Sequence, residues 1–309
     1  MTVSPIKPCI TVAFSGAGHL LAYHLGVAST LLRLKVPIQA VSGSSSGAIV
    51  AALLSFLPHQ LENYADRFLQ DRGHAFRNFR EMILEGEKEQ KETQTFSHAT
   101  REEAVRYQSK TETIATTRPD LYVCVTKSDD GTAHLLKFPS QSLKNNSSDR
   151  LFRAIEASCY IPVSFHPLDL FQTSSNNYQG DGIDFDGTYY VDGGISGIFP
   201  PPLPDVQEPH HRILVCPVEL GPLPTSLSFS SLQTNHVICP GYNSSSEGVI
   251  HWPFLKARDG ISIRRPLKNL QSLVAAAGFC SGKVLASWYQ RGKDDAERQL
   301  ETLLLFGEC

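Results

Sequence analysis

The sequence predicts an α/β domain around a mostly parallel sheet, and three observations predict it. An apolar run, Cys9–Phe14, breaks at glycines and passes into helical periodicity. A second short apolar run, Ile38–Val41, leads through a glycine–serine turn into a wholly apolar helical stretch. Farther on, strand-like runs alternate with a third helical segment. Strand–helix–strand–helix order calls for right-handed crossovers and therefore parallel strands.

Cys9–Phe14 has the length and unbroken apolarity of a buried strand. Ser15-Gly16-Ala17-Gly18 ends it. His19–Lys35 predicts a helix with Leu21, Leu25, Ala28 and Leu32 on one face, closed by Val36-Pro37. Ile38–Val41 is the second strand, and Ala48–Leu57 the apolar helix after the turn. The charged stretch from Pro58 to about Lys110 predicts solvated helix. Leu121–Thr126 and Ala133–Phe138 predict a hairpin closed by Asp129-Asp130-Gly131. A helix is expected from about Asp149 to Ser158, stopped by Ile161-Pro162. Thr188–Val191 predicts a strand running into Asp192-Gly193-Gly194. The prolines at 200–204 predict a linker, and Ile213–Val218 a further strand. We expect one domain over 1–309, with a core at about 9–204. A long surface excursion follows at about 220–261, then a C-terminal helical region at about 266–305.

Composition narrows the partners. A net charge of −3 over 309 residues offers no broad basic surface for nucleic acid. Seven scattered cysteines without a C-x-x-C pair signal neither a zinc site nor a disulfide framework. No secretory h-region and no run of about 18 apolar residues is found, so the expected setting is cytoplasmic. Apolar stretches at 165–171 and 252–263 are candidates for lipid contact.

The chemistry concentrates at three places. Gly43-Ser44-Ser45-Ser46-Gly47 is a G-x-S-x-G motif between a strand and a helix, the setting in which a nucleophilic serine sits on a sharp turn. The flanking Gly43 and Gly47 permit close backbone approach, and the following helix aims its N-terminal N–H groups at the site. Gly16, Ala17 and Gly18, at the end of the neighbouring strand, are placed to supply oxyanion donors. A dinucleotide-binding G-x-G-x-x-G fails here, because the third glycine position is Leu21 and the second strand ends without a carboxylate. Asp192, followed by Gly193 and Gly194, supplies a base at an exposed strand end. Asp130-Gly131, Asp181-Gly182 and Asp186-Gly187 predict ordinary turns. His211 and His251 follow Asp192 in the chain order of a Ser–Asp–His triad, but only one strand precedes the elbow strand, which argues against that arrangement. His24 is expected to be structural and His19 to line the pocket.

These three elements, in this order, resemble the patatin-like phospholipase family, and within it the adipose triglyceride lipase branch. ITVAFSGAGHLLAYHLGVASTL is similar to that branch's first strand, oxyanion loop and helix. VSGSSSGAIVAALL resembles its nucleophile elbow, LFRAIEASCYIPVSF a helix and Ile-Pro segment, and YYVDGGISGIFP its aspartate loop. WYQRGKDDAERQL resembles a later helix. The resemblance implies a three-layer α/β/α sandwich and a Ser–Asp dyad of Ser45 and Asp192 without histidine. It also implies an oxyanion hole of Gly16, Ala17 and Gly18, and no metal or other cofactor. The implied activity is hydrolysis of lipid acyl esters, of the triacylglycerol lipase or phospholipase A type, at a membrane or lipid-droplet surface. A lipid acyltransferase and a catalytically silent lipid-surface protein are the alternatives. Leu21 departs from the family's third loop glycine and is expected to alter packing or the acyl pocket.

Overall fold

The computed structural model describes residues 9–71, 74–97, 118–140, 148–163, 178, 180–206, 210–218, 220, 233–240, 272, 275–278 and 280–305. Its centre is an eight-stranded sheet. β1 (Cys9–Phe14) lies between β2 (Ile38–Ser44) and β7 (His210–Val215), and β7 is followed by β8 (Gln233–Ile238); all of these pairings are parallel. β3 (Asp120–Lys127) pairs in parallel with β2 and antiparallel with β4 (Ala133–Phe138). β6 (Thr188–Asp192) runs antiparallel to β3 and to the short β5 (Ile183–Phe185). The sheet is thus mixed and mostly parallel, the α/β class expected.

One face of the sheet carries the main core. Val12, Phe14, Val41, Leu121, Val123, Val125, Ile213 and Val215 all point to it. There they meet α1 (Leu21–Arg33), α2 (Ser46–Phe56), α5 (Ser148–Ser158) and α6 (Gly282–Leu305). The helices α3 (Leu61–Gln70) and α4 (Ala75–Ser97) add Leu61, Tyr64, Phe68, Phe79 and Met82 to this core. Every described residue of α2 is buried, which is why its sequence is apolar all round. α1 and α6 pack backbone to backbone. A Cβ on Gly26 would stand 2.1 Å from the Tyr289 carbonyl oxygen, and one on Gly292 2.2 Å from that of Tyr23. Leu21 begins α1 and is fully buried in this core, so its departure from a glycine is accommodated by packing.

Several expectations need adjusting. β2 runs three residues past Val41, to Ser44, because its polar serines and Gly43 continue the ladder with β1 and β3. The proline stretch is not a free linker. Leu203 is buried against Ala40 and Tyr122 on the second face of the sheet, and the Pro200 carbonyl accepts from the buried Arg212 guanidinium. Phe199 covers Ala13, Leu214 and Val237 on that same face. Nor is 220–261 wholly a surface excursion: β8 lies inside it, with Val237 and Ile238 buried. Its polar opening, Gln233-Thr234-Asn235-His236, carries no apolar pattern to mark a strand, and Asn235 and His236 are only partly buried. Of the C-terminal helical region expected from about 266, α6 covers Gly282–Leu305. Parts of the expected charged helix (98–110), the apolar stretches at 165–171 and 252–263, and residues 266–271 lie outside the described residues. No helix among the described residues is long and apolar enough to cross a membrane.

Candidate active site

Two strands end against one edge of β3. The β4 side of β3 is paired from Leu121 to Thr126. The other side therefore carries β2 up to the Ser44–Cys124 pair and β6 from the Asp192–Val125 pair onward. The parallel β2 and the antiparallel β6 run head-on along that edge, so the residues at their ends, Ser45 and Asp192, meet beside Cys124 and Val125.

Ser45 has φ 53° and ψ −131°, a conformation that side chains other than glycine rarely adopt. The tight packing around it accounts for this. A Cβ on Gly43 would lie 2.3 Å from the Gly47 carbonyl oxygen, and one on Gly47 2.4 Å from that of Ser15. Strand, turn and helix backbones thus touch, and α2 starts at the very next residue, Ser46. The positive end of that helix faces the elbow. A brace completes the turn: the Ser158 hydroxyl accepts the Ser45 N–H at 2.8 Å and donates to the Cys124 carbonyl at 2.6 Å.

Asp192 is 7 % exposed, not exposed as its strand-end position suggested. Its N–H donates to the Tyr160 carbonyl at 2.8 Å, and its carbonyl accepts from the Thr126 hydroxyl at 2.9 Å. One carboxylate oxygen accepts the Gly194 N–H at 2.7 Å, capping a short 3-10 turn over Gly193–Ile195. Gly193 is required where it stands, because a Cβ there would meet the Cys124 carbonyl oxygen at 2.1 Å. Burial raises the Asp192 carboxyl to about 6, while hydrogen bonds from the Ser45 side chain and the Gly194 N–H oppose the rise. The Cys159 thiol, pushed up by burial, also interacts with the Ser45 hydroxyl and feels the Asp192 charge.

The glycine loop closes the site. A Cβ built on Gly16 would be 3.5 Å from Ser45 Cβ and 3.8 Å from Gly194 Cα, so Gly16 faces the serine and the aspartate loop together. Ala17 precedes a 3-10 turn over Gly18–Leu20, and Gly18 has φ 51°. His19 turns away to bond the Ala276 carbonyl at 3.3 Å and pack on Gly278. His24 is fully buried and lowered to about 3, so it stays neutral; its Nε2 lies 3.5 Å from the Ser15 hydroxyl. His211 sits at the opposite end of its strand, paired with His236 at 3.0 Å. Asp130, Asp181 and Asp186 stand in turns, as expected. The structure thus brings together Ser45, Asp192, Gly16, Gly43, Gly47, Gly193 and Gly194. Ser158, Cys159 and Tyr160, which no spacing singled out, are gathered with them because α5 ends beside β3. Among the described residues no group of three His, Cys, Asp or Glu side chains is placed to hold a metal ion.

None of the curated proteins matches the chain. Among solved structures, VipD from Legionella pneumophila aligns over 96 % of this chain and 67 % of its own, at 11 % identity and a TM-score of 0.43. The ExoU–SpcU complex from the type III secretion system of Pseudomonas aeruginosa aligns over 97 % of this chain and 52 % of that one, at 13 % identity and a TM-score of 0.41. The chain therefore spans about two thirds of the first and about half of the second. The sequence pattern of the patatin-like phospholipases matches residues 12–202, more than half of the chain, and takes in the glycine loop, the elbow and the aspartate strand. The chain belongs to the patatin-like phospholipase family.

Proposed function

We propose that the chain hydrolyses lipid acyl esters through an acyl-enzyme, with Ser45 as nucleophile and Asp192 as the base. The observation that carries this reading is the head-on meeting of β2 and β6 on β3. It sets a strained, half-buried serine beside a buried carboxyl whose proton affinity is raised towards neutrality. A carboxylate with a pKa near the working pH can both take and return a proton. Asp192 accepts the Ser45 hydroxyl proton as Oγ bonds to the acyl carbon. The carbonyl oxygen gains charge beside the Gly16–Gly18 loop and the start of α2. The C–O bond to the alcohol then breaks, and the alcohol leaves with the proton from Asp192. Water, deprotonated by Asp192, releases the fatty acid and restores Ser45. No histidine is required, and the described histidines nearest the site, His19 and His24, are engaged elsewhere or held neutral.

The finer reading is an acylglycerol lipase of the adipose triglyceride lipase kind, acting on the surface of a membrane or lipid droplet from the cytoplasmic side. It is supported by the likeness of LFRAIEASCYIPVSF and WYQRGKDDAERQL to that branch. Of the first, residues 151–158 belong to α5 and 159–163 follow it beside Ser45, and the second is part of α6. Ser45→Ala, assayed on a p-nitrophenyl ester and a panel of triacylglycerol, diacylglycerol and phospholipid, should lose at least about 1,000-fold on every ester the wild type cleaves, with an unchanged melt. Full activity in that variant would end the proposal.

A further inference from the structure

We infer that Ile161 and Val163 form an aliphatic tip that seats the catalytic edge on the acyl region of a lipid surface; this rests on the lipid-ester reading above. Val163 is 94 % exposed and Ile161 60 %, the two most exposed large apolar side chains among the described residues. Single exposed aliphatics are ordinary on protein surfaces. These two are not scattered. They lie within three residues, and that tripeptide begins two residues after Cys159, whose thiol meets the Ser45 hydroxyl.

Residues 160–163 are held, not loose. Asp181 grips both its ends: the Tyr160 hydroxyl donates to one carboxylate oxygen at 2.6 Å and the Val163 N–H to the other at 3.2 Å. Pro162 fixes its own φ between them. The Tyr160 ring packs inward against the cluster of Tyr178, Val191 and Ile195, while the Tyr160 carbonyl holds the Asp192 N–H. Tyr160 is thus anchored at the reactive centre, and Ile161 and Val163 stand outward on either side of the buried Pro162. The clamp keeps the aliphatic pair from folding back into the core.

Hydrocarbon of a lipid aggregate fits this tip better than a headgroup does. The tip has no charged side chain of its own, and both oxygens of the nearby Asp181 are already engaged. The pair follows within four residues of Cys159 and Tyr160, which touch Ser45 and Asp192, so it lies close along the chain to the site that must receive an insoluble ester. An aliphatic contact of this kind needs no anionic lipid and resists salt.

The test is flotation of the full chain with phosphatidylcholine vesicles, comparing wild type with the Ile161→Ser/Val163→Ser double variant. Each lost aliphatic should weaken partitioning roughly 10-fold, so the double variant should bind on the order of 100-fold less, in low and high salt alike. Hydrolysis of a diacylglycerol carried in the same vesicles should fall in step, while hydrolysis of a soluble short-chain p-nitrophenyl ester and the melting temperature stay unchanged. Val284→Ser, another exposed aliphatic but on α6, should alter none of these. Ser45→Ala should float as wild type does. Equal flotation of the double variant and wild type, or wild type that does not float at all, overturns the inference. If soluble-ester hydrolysis survives Ser45→Ala while the double variant loses flotation, the catalytic reading fails and the lipid contact stands.

Discussion

Asp192→Asn should end turnover and, at neutral pH, stabilise the fold. Asp192 is almost fully buried, and that burial is the main cause of its carboxyl rising from 3.8 to about 6. A carboxyl with a higher pKa in the folded chain than in the unfolded one holds its proton more tightly when folded. Folding is then favoured by acid, and stability is lost as pH climbs from about 4 through about 6. A rise of about two pH units corresponds to about 3 kcal/mol. Asparagine does not titrate, and its side-chain oxygen can still accept the Gly194 N–H. The stability gap between variant and wild type should therefore widen by about 3 kcal/mol between pH 4 and pH 8, or roughly 6 °C in melting temperature for a chain of this size. Thermal melts of both proteins across that range measure it directly. In wild type, kcat/KM should fall about tenfold per pH unit below about pH 6, as the base is protonated. A gap that is constant with pH, or that grows towards acid, would refute burial of an ionised Asp192 as the origin of its pKa.

Three further substitutions separate holding the site from filling it. Ser158→Ala removes the acceptor of the Ser45 N–H and the donor to the Cys124 carbonyl. Each group left unmade costs about 1–3 kcal/mol, and the elbow loses its brace, so the melting temperature should drop by several degrees and kcat by roughly 10- to 100-fold; a wild-type kcat would show that the brace is dispensable. Gly16→Ala should leave the melt within about a degree of wild type, because its methyl makes ordinary contacts at 3.5 and 3.8 Å. It should nonetheless cut hydrolysis at least tenfold by occupying space over Ser45. Gly47→Ala should do the reverse of a silent change: its Cβ would lie 2.4 Å from one carbonyl oxygen and 2.8 Å from another, so the fold itself should lose about 3 kcal/mol or more. Equal melts for the two glycine variants would contradict this assignment.

Much of the frame was legible because the signals are local. An apolar six-residue run between turn residues specifies β1, and glycines around a serine between two apolar stretches specify the elbow. Helical periodicity located α1, and the stop at Ile161-Pro162 bounded α5, each to within a few residues. Asp192 stood out from the other Asp-Gly pairs because an apolar strand precedes it, and the structure keeps that distinction, with the other three in turns. β8 escaped because its first four residues, Gln233–His236, are polar and carry no apolar pattern. β5, three residues long, is too short for any periodicity.

The sequence by itself determined the class of fold and the order of the glycine loop, the serine elbow and the aspartate strand, since glycine spacing and apolar period act over a few residues. Tertiary structure alone decided that β6 turns antiparallel and abuts β2 on one edge of β3, which puts residue 192 beside residue 45 across almost 150 positions of chain. It also decided that Asp192 is buried, that Ser158 props the elbow, and that Asp181 bonds both Tyr160 and the Val163 N–H. Each of these depends on which surfaces exclude water from one another, and that is settled only once distant segments pack.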